Sequence, residues 1–257
     1  SGSDLLWERS AELGIAPHGQ RSANDACRLL PAQDGHLAIN LARAEDWSLL
    51  PAWLEESVED WSQLAEHVAR RTTTPLLERG RLMGLAVATP NEAITPSAAD
   101  ELSDAQIKLS SAPMVVDLSA LWAGPLCSHI LQQCGFRVVK VESVQRPDGA
   151  RKGSPIHFNA LHKGKRLRRF DFADANDLQG LRELLASADV VIEGSRPRAL
   201  RALGLDRDSL MDGACSATSS QLWLSLTAYG RPRPYGDWVG FGDDVAIAAG
   251  AHALTNN

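Results

Sequence analysis

Two glycine-containing segments of the sequence combine a turn with a group that could bind an anion. In the first segment this group is the start of a helix, and in the second it is an arginine. In the run 119–125, Gly124 allows a tight turn just before a proline that suits the first turn of a helix. In the run 191–197, Gly194 permits close approach of a ligand, and Arg196 could pair with an anion. The first segment has neither the glycine spacing of a dinucleotide site nor that of a P-loop, which argues against NAD and ATP. An ordinary strand-to-helix turn remains the alternative there.

Basic residues cluster locally in an otherwise acidic chain. They could hold phosphate groups near the ends of strands, and a solvated surface run is the alternative. The cluster comprises Arg146, Arg151, Lys152, the run 162–166, Arg168 and Arg169.

The four cysteines are widely scattered and form no CxxC pair, so they indicate neither a zinc ribbon nor a redox motif. Cys127 and Cys134 are spaced to share a helix face, and for them burial is favoured over catalysis because no base motif accompanies them. The sequence therefore predicts no metal site and no cysteine nucleophile. A reducing cytoplasm fits this cysteine usage best.

Length and charge exclude several classes of protein. With 257 residues, 44% of them hydrophobic, the chain can bury one large core or two smaller ones. A formal net charge of -6 argues against nucleic-acid binding, which requires a basic face. No run offers the roughly 20 apolar residues of a membrane-spanning helix, and the N-terminus shows no secretion signal. We therefore expect a soluble, cytoplasmic protein that acts on small molecules.

The first part of the chain is expected to form a small α+β domain. An Asp-Gly turn between two apolar runs predicts a hairpin within 26–41. Apolar residues at helical spacing predict helices at 45–55, 58–70 and 74–84, with Asp46 and Thr73 or Thr74 as caps. Residues 96–113 have the composition of a linker, so the small domain is placed at 1–95.

Beyond residue 113 the pattern changes to β-branched strands that alternate with amphipathic helices. Strands are expected at 114–118, 137–141, 166–170, 189–193 and 222–226, and helices at 125–134 and 175–186. This alternation predicts βαβ units and hence a Rossmann-like, largely parallel sheet over 114–257. In such sheets ligands bind beyond the carboxyl ends of the strands, where both glycine segments lie.

The order of motifs in this second domain resembles that of the family III CoA-transferases, the CaiB/BaiF family. The resemblance extends to 27–92, which looks like the small domain of that family. The motifs of the second domain are Asp117-Leu-Ser with Ala-Gly-Pro125, Val139-Lys-Val-Glu142, Gly164-Lys-Arg166 with Phe170-Asp-Phe172, Val191-Ile-Glu193 with Arg196-Pro197, and Tyr229-Gly230 before Gly240.

The resemblance implies that the chain binds coenzyme A as a substrate and moves CoA between carboxylic acids. In such an enzyme an Asp carboxylate attacks the acyl-CoA thioester, and a mixed anhydride and then an enzyme thioester form. The resemblance also assigns the residues that contact CoA. They are Trp122 and Ala123 in the first loop, Ser143 in the second, Phe170 and Phe172 at the adenine, Gly194, Ser195 and Arg196 at the pyrophosphate, and Gly242 and Asp243 at the acyl or pantetheine part.

Several positions depart from the family pattern. The family often has Arg where Ser143 stands, and Asn-Phe in place of Gly194-Ser195. Its catalytic Asp is expected roughly two to three dozen residues beyond the helix that begins at Asp243, so no catalytic residue is assigned within the chain. Racemases of the same superfamily use a His where this chain has Phe241 and Gly242, which disfavours a racemase.

Two further hypotheses remain open at this point. The chain could be a non-catalytic protein that binds CoA or acyl-CoA, or a scaffold that kept the fold and lost the chemistry. It could also be an ordinary nucleotide-binding domain, although the absent glycine fingerprint disfavours this interpretation. For the leading hypothesis, the resemblance implies a homodimer, or a heteromer with a segment that completes the site.

Overall fold

A computed structural model of the protein describes residues 14–16, 18–92, 111–212 and 221–251. Cα packing divides the chain into two compact units, one of Ser1–Ala98 with Ala228–Asn257 and one of Ala99–Thr227. Most of the expected linker at 96–113 lies outside the described residues, as does Cys215.

The N-terminal part of the first unit is a three-stranded antiparallel sheet with helices on one face. The Asp-Gly turn joins two strands in the register of a hairpin, as the sequence predicts. A third strand was missed because three residues are too few to show alternation. The elements are β1 Cys27–Ala32, β2 Gly35–Asn40, α1 Ala44–Leu54, α2 Trp61–Ala69, α3 Thr73–Met83 and β3 Ala86–Ala88.

The helix caps differ from those expected. Helix α1 begins after Arg43, and Asp46 lies within its first turn, where its carboxylate accepts a hydrogen bond from the Arg43 N–H at 2.9 Å. Because the Asp46 carboxylate bonds to the backbone of the cap residue Arg43, the cap lies three residues before the expected one. Helix α3 begins after Thr72, not after Thr73 or Thr74.

The second unit is a five-stranded parallel sheet, which confirms the predicted α/β class; its strands lie in the order β6 (Arg166–Phe170), β5 (Arg137–Ser143), β4 (Met114–Asp117), β7 (Val190–Glu193) and β8 (Leu222–Ser225). Helix α4 (Ala123–Gln133) follows β4, and a 3₁₀ turn at Gly149–Lys152 and helix α5 (Pro155–His162) follow β5. Helices at Pro155–His162, Pro197–Ala202 and Arg207–Asp212 were not predicted. The elements are β4 Met114–Asp117, α4 Ala123–Gln133, β5 Arg137–Ser143, α5 Pro155–His162, β6 Arg166–Phe170, α6 Ala175–Ala186, β7 Val190–Glu193, α7 Pro197–Ala202, α8 Arg207–Asp212 and β8 Leu222–Ser225.

Both faces of the parallel sheet are buried at its central strands β4 and β7. Val116 and Val191 pack with Leu181 and Leu185 of α6 on one face. On the other face, the neighbouring residues Val115 and Ile192 belong to a separate cluster with Cys127 and Leu131 of α4. Alternate residues of each strand therefore enter different cores, which is why these strands read as continuous apolar runs.

The segment after residue 227 packs with the N-terminal unit, which differs from the expected continuous domain at 114–257. Tyr229 and Ala248 form a buried cluster with Cys27, Ala38 and Ala88, on the face of the three-stranded sheet opposite its three helices. The segment contains helix α9 Asp243–Ala248. The segment therefore packs on apolar side chains of a sheet that lies far from it in the sequence. The residues of the segment alone do not indicate this contact.

No helix in the described ranges is long and apolar enough to cross a membrane.

Candidate functional site

The parallel strands β4, β5, β6 and β7 end at the same edge of the sheet, where α/β proteins bind ligands. Backbone hydrogen bonds continue past the strands there, from Val144 N–H to the Phe170 carbonyl at 2.9 Å and from Leu118 N–H to the Ile192 carbonyl at 2.8 Å. This edge therefore brings together the CoA-assigned residues of the second unit, which are Trp122, Ala123, Ser143, Phe170, Phe172, Gly194, Ser195 and Arg196.

The loop that follows β4 is folded tightly upon itself. A Cβ atom on Gly124 would lie only 2.0 Å from Ser119 Oγ, so this position accepts no side chain without a shift of the loop. Leu121 has a positive φ of 70°, which is uncommon for a residue other than glycine. Trp122 forms the cap of α4 and is partly buried, and Ala123 is exposed at the start of the helix.

Asp117 is fully buried at the end of β4 and organises this loop. One carboxylate oxygen accepts hydrogen bonds from the Ser119 N–H at 2.9 Å and from the Ser119 hydroxyl. The other oxygen accepts a hydrogen bond from the Ser128 hydroxyl of α4. Its hydrogen bonds account for a structural role, so Asp117 is not placed as a nucleophile.

Lys165 places a buried positive charge next to Asp117. Its Nζ lies 3.6 Å from Asp117 Oδ2 and donates to the Pro125 carbonyl at 2.8 Å and to Ser128 Oγ at 2.7 Å. Burial lowers the pKa of the Lys165 ammonium to about 8, against the attraction of Asp117, which raises it.

A second buried ion pair joins Lys140 of β5 to Asp148 of the following loop. Their charged atoms are 3.5 Å apart, and the Lys140 Nζ donates to the Ser119 carbonyl. Asp148 Oδ1 accepts hydrogen bonds from the N–H groups of Leu121 at 3.0 Å and Ala150 at 2.9 Å. The loop after β4 is thus bound to the loop after β5.

Ser143 ends β5 and is partly buried. Its hydroxyl donates to Gln145 Oε1 at 2.9 Å, and the Gln145 amide donates in turn to Asp171 after β6. Hydrogen bonds from the Ala173 N–H and from Gln145 lower the pKa of the Asp171 carboxyl. The ends of β5 and β6 therefore share one polar network.

The two phenylalanines assigned to the adenine side occupy different environments. Phe170 is 3% exposed, and its ring packs in the core with Val141 and Leu181. The Phe170 ring is therefore not available to a ligand. Phe172 is partly buried against the same core, so its ring is the one that remains open at the edge.

The residues after β7 lie on the surface of the same edge. Gly194 is exposed, and a Cβ atom added to it would make ordinary contact with Ser119 Cβ at 3.6 Å. The protein itself therefore does not require glycine at this position. Arg196 is partly buried and caps helix α7.

Gly242 and Asp243 belong to the first unit and stand at the start of α9. Gly242 has a φ of 111°, a conformation that side chains disfavour. The neighbouring Asp244 is fully buried and accepts hydrogen bonds from the Phe241 N–H at 2.9 Å and from Asn40 Nδ2 at 3.3 Å. Burial raises the pKa of the Asp244 carboxyl.

The basic residues noted in the sequence have different environments. Arg151 is partly buried and donates to both oxygens of the buried Glu142, at 3.0 and 3.1 Å, whereas the side chain of Lys165 is buried and pairs with Asp117. The exposed members are Arg146, Lys152, Lys163, Arg166, Arg168 and Arg169, and of these Arg169 also lies 3.7 Å from Glu142 Oε2. Within the described ranges, no group of three or more His, Cys, Asp or Glu side chains could hold a metal ion.

His162 lies beside the two buried lysines, with its ring 4.3 Å from that of Phe158. Burial and the charges of Lys165 and Lys140 lower the pKa of His162 to about 4. The imidazole is therefore neutral at physiological pH.

Sequence reasoning missed the roles of Lys140, Asp148 and Ser128. Lys140 lies within an apolar strand, and a charge in a buried strand is the signal that could have shown an internal partner. The identity of that partner depends on how the loop after β5 folds, which residue spacing does not reveal.

Comparison with known proteins identifies a family. The model of CoA-transferase family III matches residues 113–257. Among curated proteins, an acyl-CoA transferase of Fusarium pseudograminearum is 32% identical over 156 residues, covering 55% of this chain and 33% of that protein. The beta subunit of succinyl-CoA–L-malate CoA-transferase of Chloroflexus aurantiacus is 29% identical over 146 residues, covering 54% of this chain and 35% of that protein.

A crystal structure of a CaiB/BaiF family protein from Brucella suis is 32% identical in sequence, with a TM-score of 0.47, and the match covers 52% of this chain and 37% of that one. The chain spans about a third of the length of the curated relatives it matches.

Proposed function

The chain belongs to CoA-transferase family III, and on this premise we propose that its five-stranded unit binds a CoA thioester at the carboxyl edge of the sheet. The observation that supports the proposal most directly is the closed loop after β4, which brings Trp122 and Ala123 to that edge in a fixed conformation. The loop lies where α/β sheets bind ligands.

Individual contacts follow from the positions of the assigned residues. Trp122, Ala123 and Ser143 contact CoA at the ends of β4 and β5. The ring of Phe172 and the backbone of Phe170 bind the adenine side, since the Phe170 ring is in the core. The remaining contacts in the five-stranded unit are Gly194, Ser195 and Arg196 at the pyrophosphate.

The reaction is the transfer of CoA between two carboxylic acids. An aspartate carboxylate attacks the carbonyl of the acyl-CoA thioester and expels the CoA thiolate, leaving a mixed anhydride. The thiolate attacks the aspartyl carbonyl and releases the first acid. The second acid then attacks the resulting enzyme thioester, expels the CoA thiolate and forms a second mixed anhydride. The thiolate attacks the carbonyl of the new acyl group, which forms the new acyl-CoA and releases the aspartate carboxylate.

The attacking aspartate is proposed to come from a polypeptide segment outside these 257 residues, in the same chain or in a partner. The support is that the buried carboxylates Asp117, Asp148, Glu142 and Asp244 already accept hydrogen bonds or pair with lysine or arginine. If the segment belongs to a partner, the protein acts as a homodimer or a heteromer. One relative is described as a beta subunit. Unpaired thiols at Cys27, Cys127 and Cys134 favour a cytoplasmic location.

Titration calorimetry tests CoA binding by the 257-residue chain. We expect a measurable Kd that rises severalfold for Arg196→Leu and is unchanged for Arg207→Leu, an exposed arginine at the start of α8. Loss of affinity follows from losing a charge at the pyrophosphate. Absence of CoA heat at millimolar concentrations would refute binding by the chain alone.

A non-catalytic CoA-binding or scaffold protein is the second candidate, and the internal pairing of the buried carboxylates favours it. A transferase assay with succinyl-CoA and an acceptor acid distinguishes the two, because a scaffold binds CoA without exchanging it. A racemase is disfavoured, since Phe241 and Gly242 occupy the positions of its base.

A further inference from the structure

Four charged side chains hold the loop at 119–125, and we call Asp117, Lys140, Asp148 and Lys165 the anchor residues. Each contacts the loop backbone through one hydrogen bond. Asp117 accepts from Ser119 N–H at 2.9 Å, and Asp148 accepts from Leu121 N–H at 3.0 Å. Lys140 donates to the Ser119 carbonyl, and Lys165 donates to the Pro125 carbonyl at 2.8 Å. Both ends and the middle of the loop are therefore fixed.

The anchor residues form two ion pairs that are almost completely buried. The side chains of Lys165 and Asp117 are 1% and 0% exposed, and those of Lys140 and Asp148 are 2% and 0% exposed. A buried ion pair is often no more stabilising than an apolar pair of the same volume, because desolvation offsets the Coulomb attraction. The pairs therefore supply geometry more than stability.

The loop has a conformation that requires such anchoring. Leu121 is held at a φ of 70°, and Ser119 Oγ occupies the space beside Gly124 that a side chain would fill. A residue in a sparsely populated backbone region persists only where its surroundings fix it.

We propose that Lys165, paired with Asp117, is a positioning residue that fixes the loop after β4 in the conformation that receives CoA. The identity of the ligand rests on the proposed function, whereas the anchoring of the loop does not. Lys165 touches the loop and the first turn of α4, at Pro125 and Ser128, and so acts on the ligand through Trp122 and Ala123.

The test uses two variants of the full chain and three measurements. Lys165→Met leaves Asp117 buried without its cation, whereas Asp117→Asn with Lys165→Met removes both charges and keeps the shape of both side chains. For each protein we measure thermal unfolding, amide hydrogen exchange of the peptide spanning 118–126, and the Kd for CoA by calorimetry.

The expected result separates geometry from stability. The single variant melts at a lower temperature, exchanges faster in the loop and binds CoA more weakly. The double variant regains most of the melting temperature, yet its loop still exchanges faster than in wild type and its Kd for CoA stays at least about tenfold higher. A merely structural pair would restore all three properties together.

Two control variants fix the interpretation. Leu181→Ala removes a core contact of α6 away from the loop and lowers stability, but leaves the exchange of 118–126 at the wild-type rate. Arg137→Met removes an exposed charge from the opposite end of β5 and changes neither the stability nor the exchange rate of 118–126.

Wild-type exchange in the loop of the double variant would overturn the proposal, as would wild-type CoA affinity in a protein known to bind CoA. If the unaltered chain shows no CoA binding, the proposed function fails, and the exchange measurement still decides the role of Lys165.

Discussion

Gly124 is the residue on which the loop after β4 depends most directly. A methyl group there would lie 2.0 Å from Ser119 Oγ and 3.1 Å from Leu226 Cδ1, so the loop or the residue that follows β8 must move. Such overpacking costs about 1–3 kcal/mol. We expect Gly124→Ala to lower the free energy of unfolding by this amount in urea denaturation followed by circular dichroism.

Gly180 provides the matched comparison. It lies inside helix α6, where an added Cβ would meet Phe170 at 3.7 Å, an ordinary contact. Alanine is the better helix former by up to about 1 kcal/mol. Gly180→Ala should therefore hold or raise stability, and a similar loss in both variants would contradict the explanation by crowding at Gly124.

His162 should make the stability of the second unit depend on pH. Its pKa of about 4 in the folded protein is below the ordinary value of 6.5, because burial and the charges of Lys165 and Lys140 oppose protonation. Between these values the unfolded chain binds the proton and the folded protein does not. The stabilisation is therefore complete above pH 6.5 and is lost as pH falls toward 4.

His162→Leu removes this proton uptake. In urea denaturation at pH 7.5 and pH 5, the wild type should lose more stability than the variant, by on the order of 1 kcal/mol once solvent screening of a half-buried group is allowed for. Equal losses in the two proteins would show that His162 is protonated in the folded state.

At the scale of elements, the central strands β4, β5 and β7 of the parallel sheet could be predicted within one or two residues, because β-branched runs buried on both faces have few alternatives. The order of these strands also predicted which residues lie at the carboxyl edge of the sheet, among them Trp122, Ser143 and Gly194. The environment of single side chains did not follow. Phe170 turned out to lie in the core, and Lys165, one of several basic residues in the sequence, turned out to be buried against Asp117.

Helix α6 begins directly after the residues proposed to contact the adenine, and Asp174 caps it. The Asp174 carboxylate accepts hydrogen bonds from the N–H groups of Asn176 and Asp177, both at 2.9 Å. Loss of such a cap costs about 1 kcal/mol. Asp174→Ala should lower the unfolding free energy by this amount in urea denaturation, whereas Asn176→Ala, an exposed change in the same turn, should have a much smaller effect.

At the scale of the whole molecule, the first unit is built from two separate stretches of sequence. Arg81 of α3 connects them. Its guanidinium lies over the Trp238 ring at 3.8 Å and donates to both oxygens of Glu92, at 2.8 and 2.7 Å. The segment after residue 227 therefore completes the N-terminal unit. It does so through contacts between residues that lie some 150 positions apart in the sequence.

Cys27 reports on this arrangement because the packing of 228–251 buries it. Cys27 is 3% exposed and packs against Tyr229 and Ala248. Burial raises the pKa of its thiol, so Cys27 should react slowly with a thiol reagent. Trp238→Ala removes the ring that contacts Tyr229 edge-to-face, at a centroid distance of 5.4 Å, and that lies beneath the Arg81 guanidinium at 3.8 Å. We expect the variant to label at Cys27 at least several times faster, as mass spectrometry of labelled peptides would show.

The exposed Cys134 of the second unit serves as the internal control, since its labelling rate should be the same in both proteins. Trp223→Ala, a change in β8 of the second unit, should leave the labelling of Cys27 unchanged. Rapid labelling of Cys27 in the wild type would mean that the segment after residue 227 does not cover the N-terminal sheet. Slow labelling that Trp238→Ala accelerates requires that it does, because no residue local to Cys27 in the sequence has been altered.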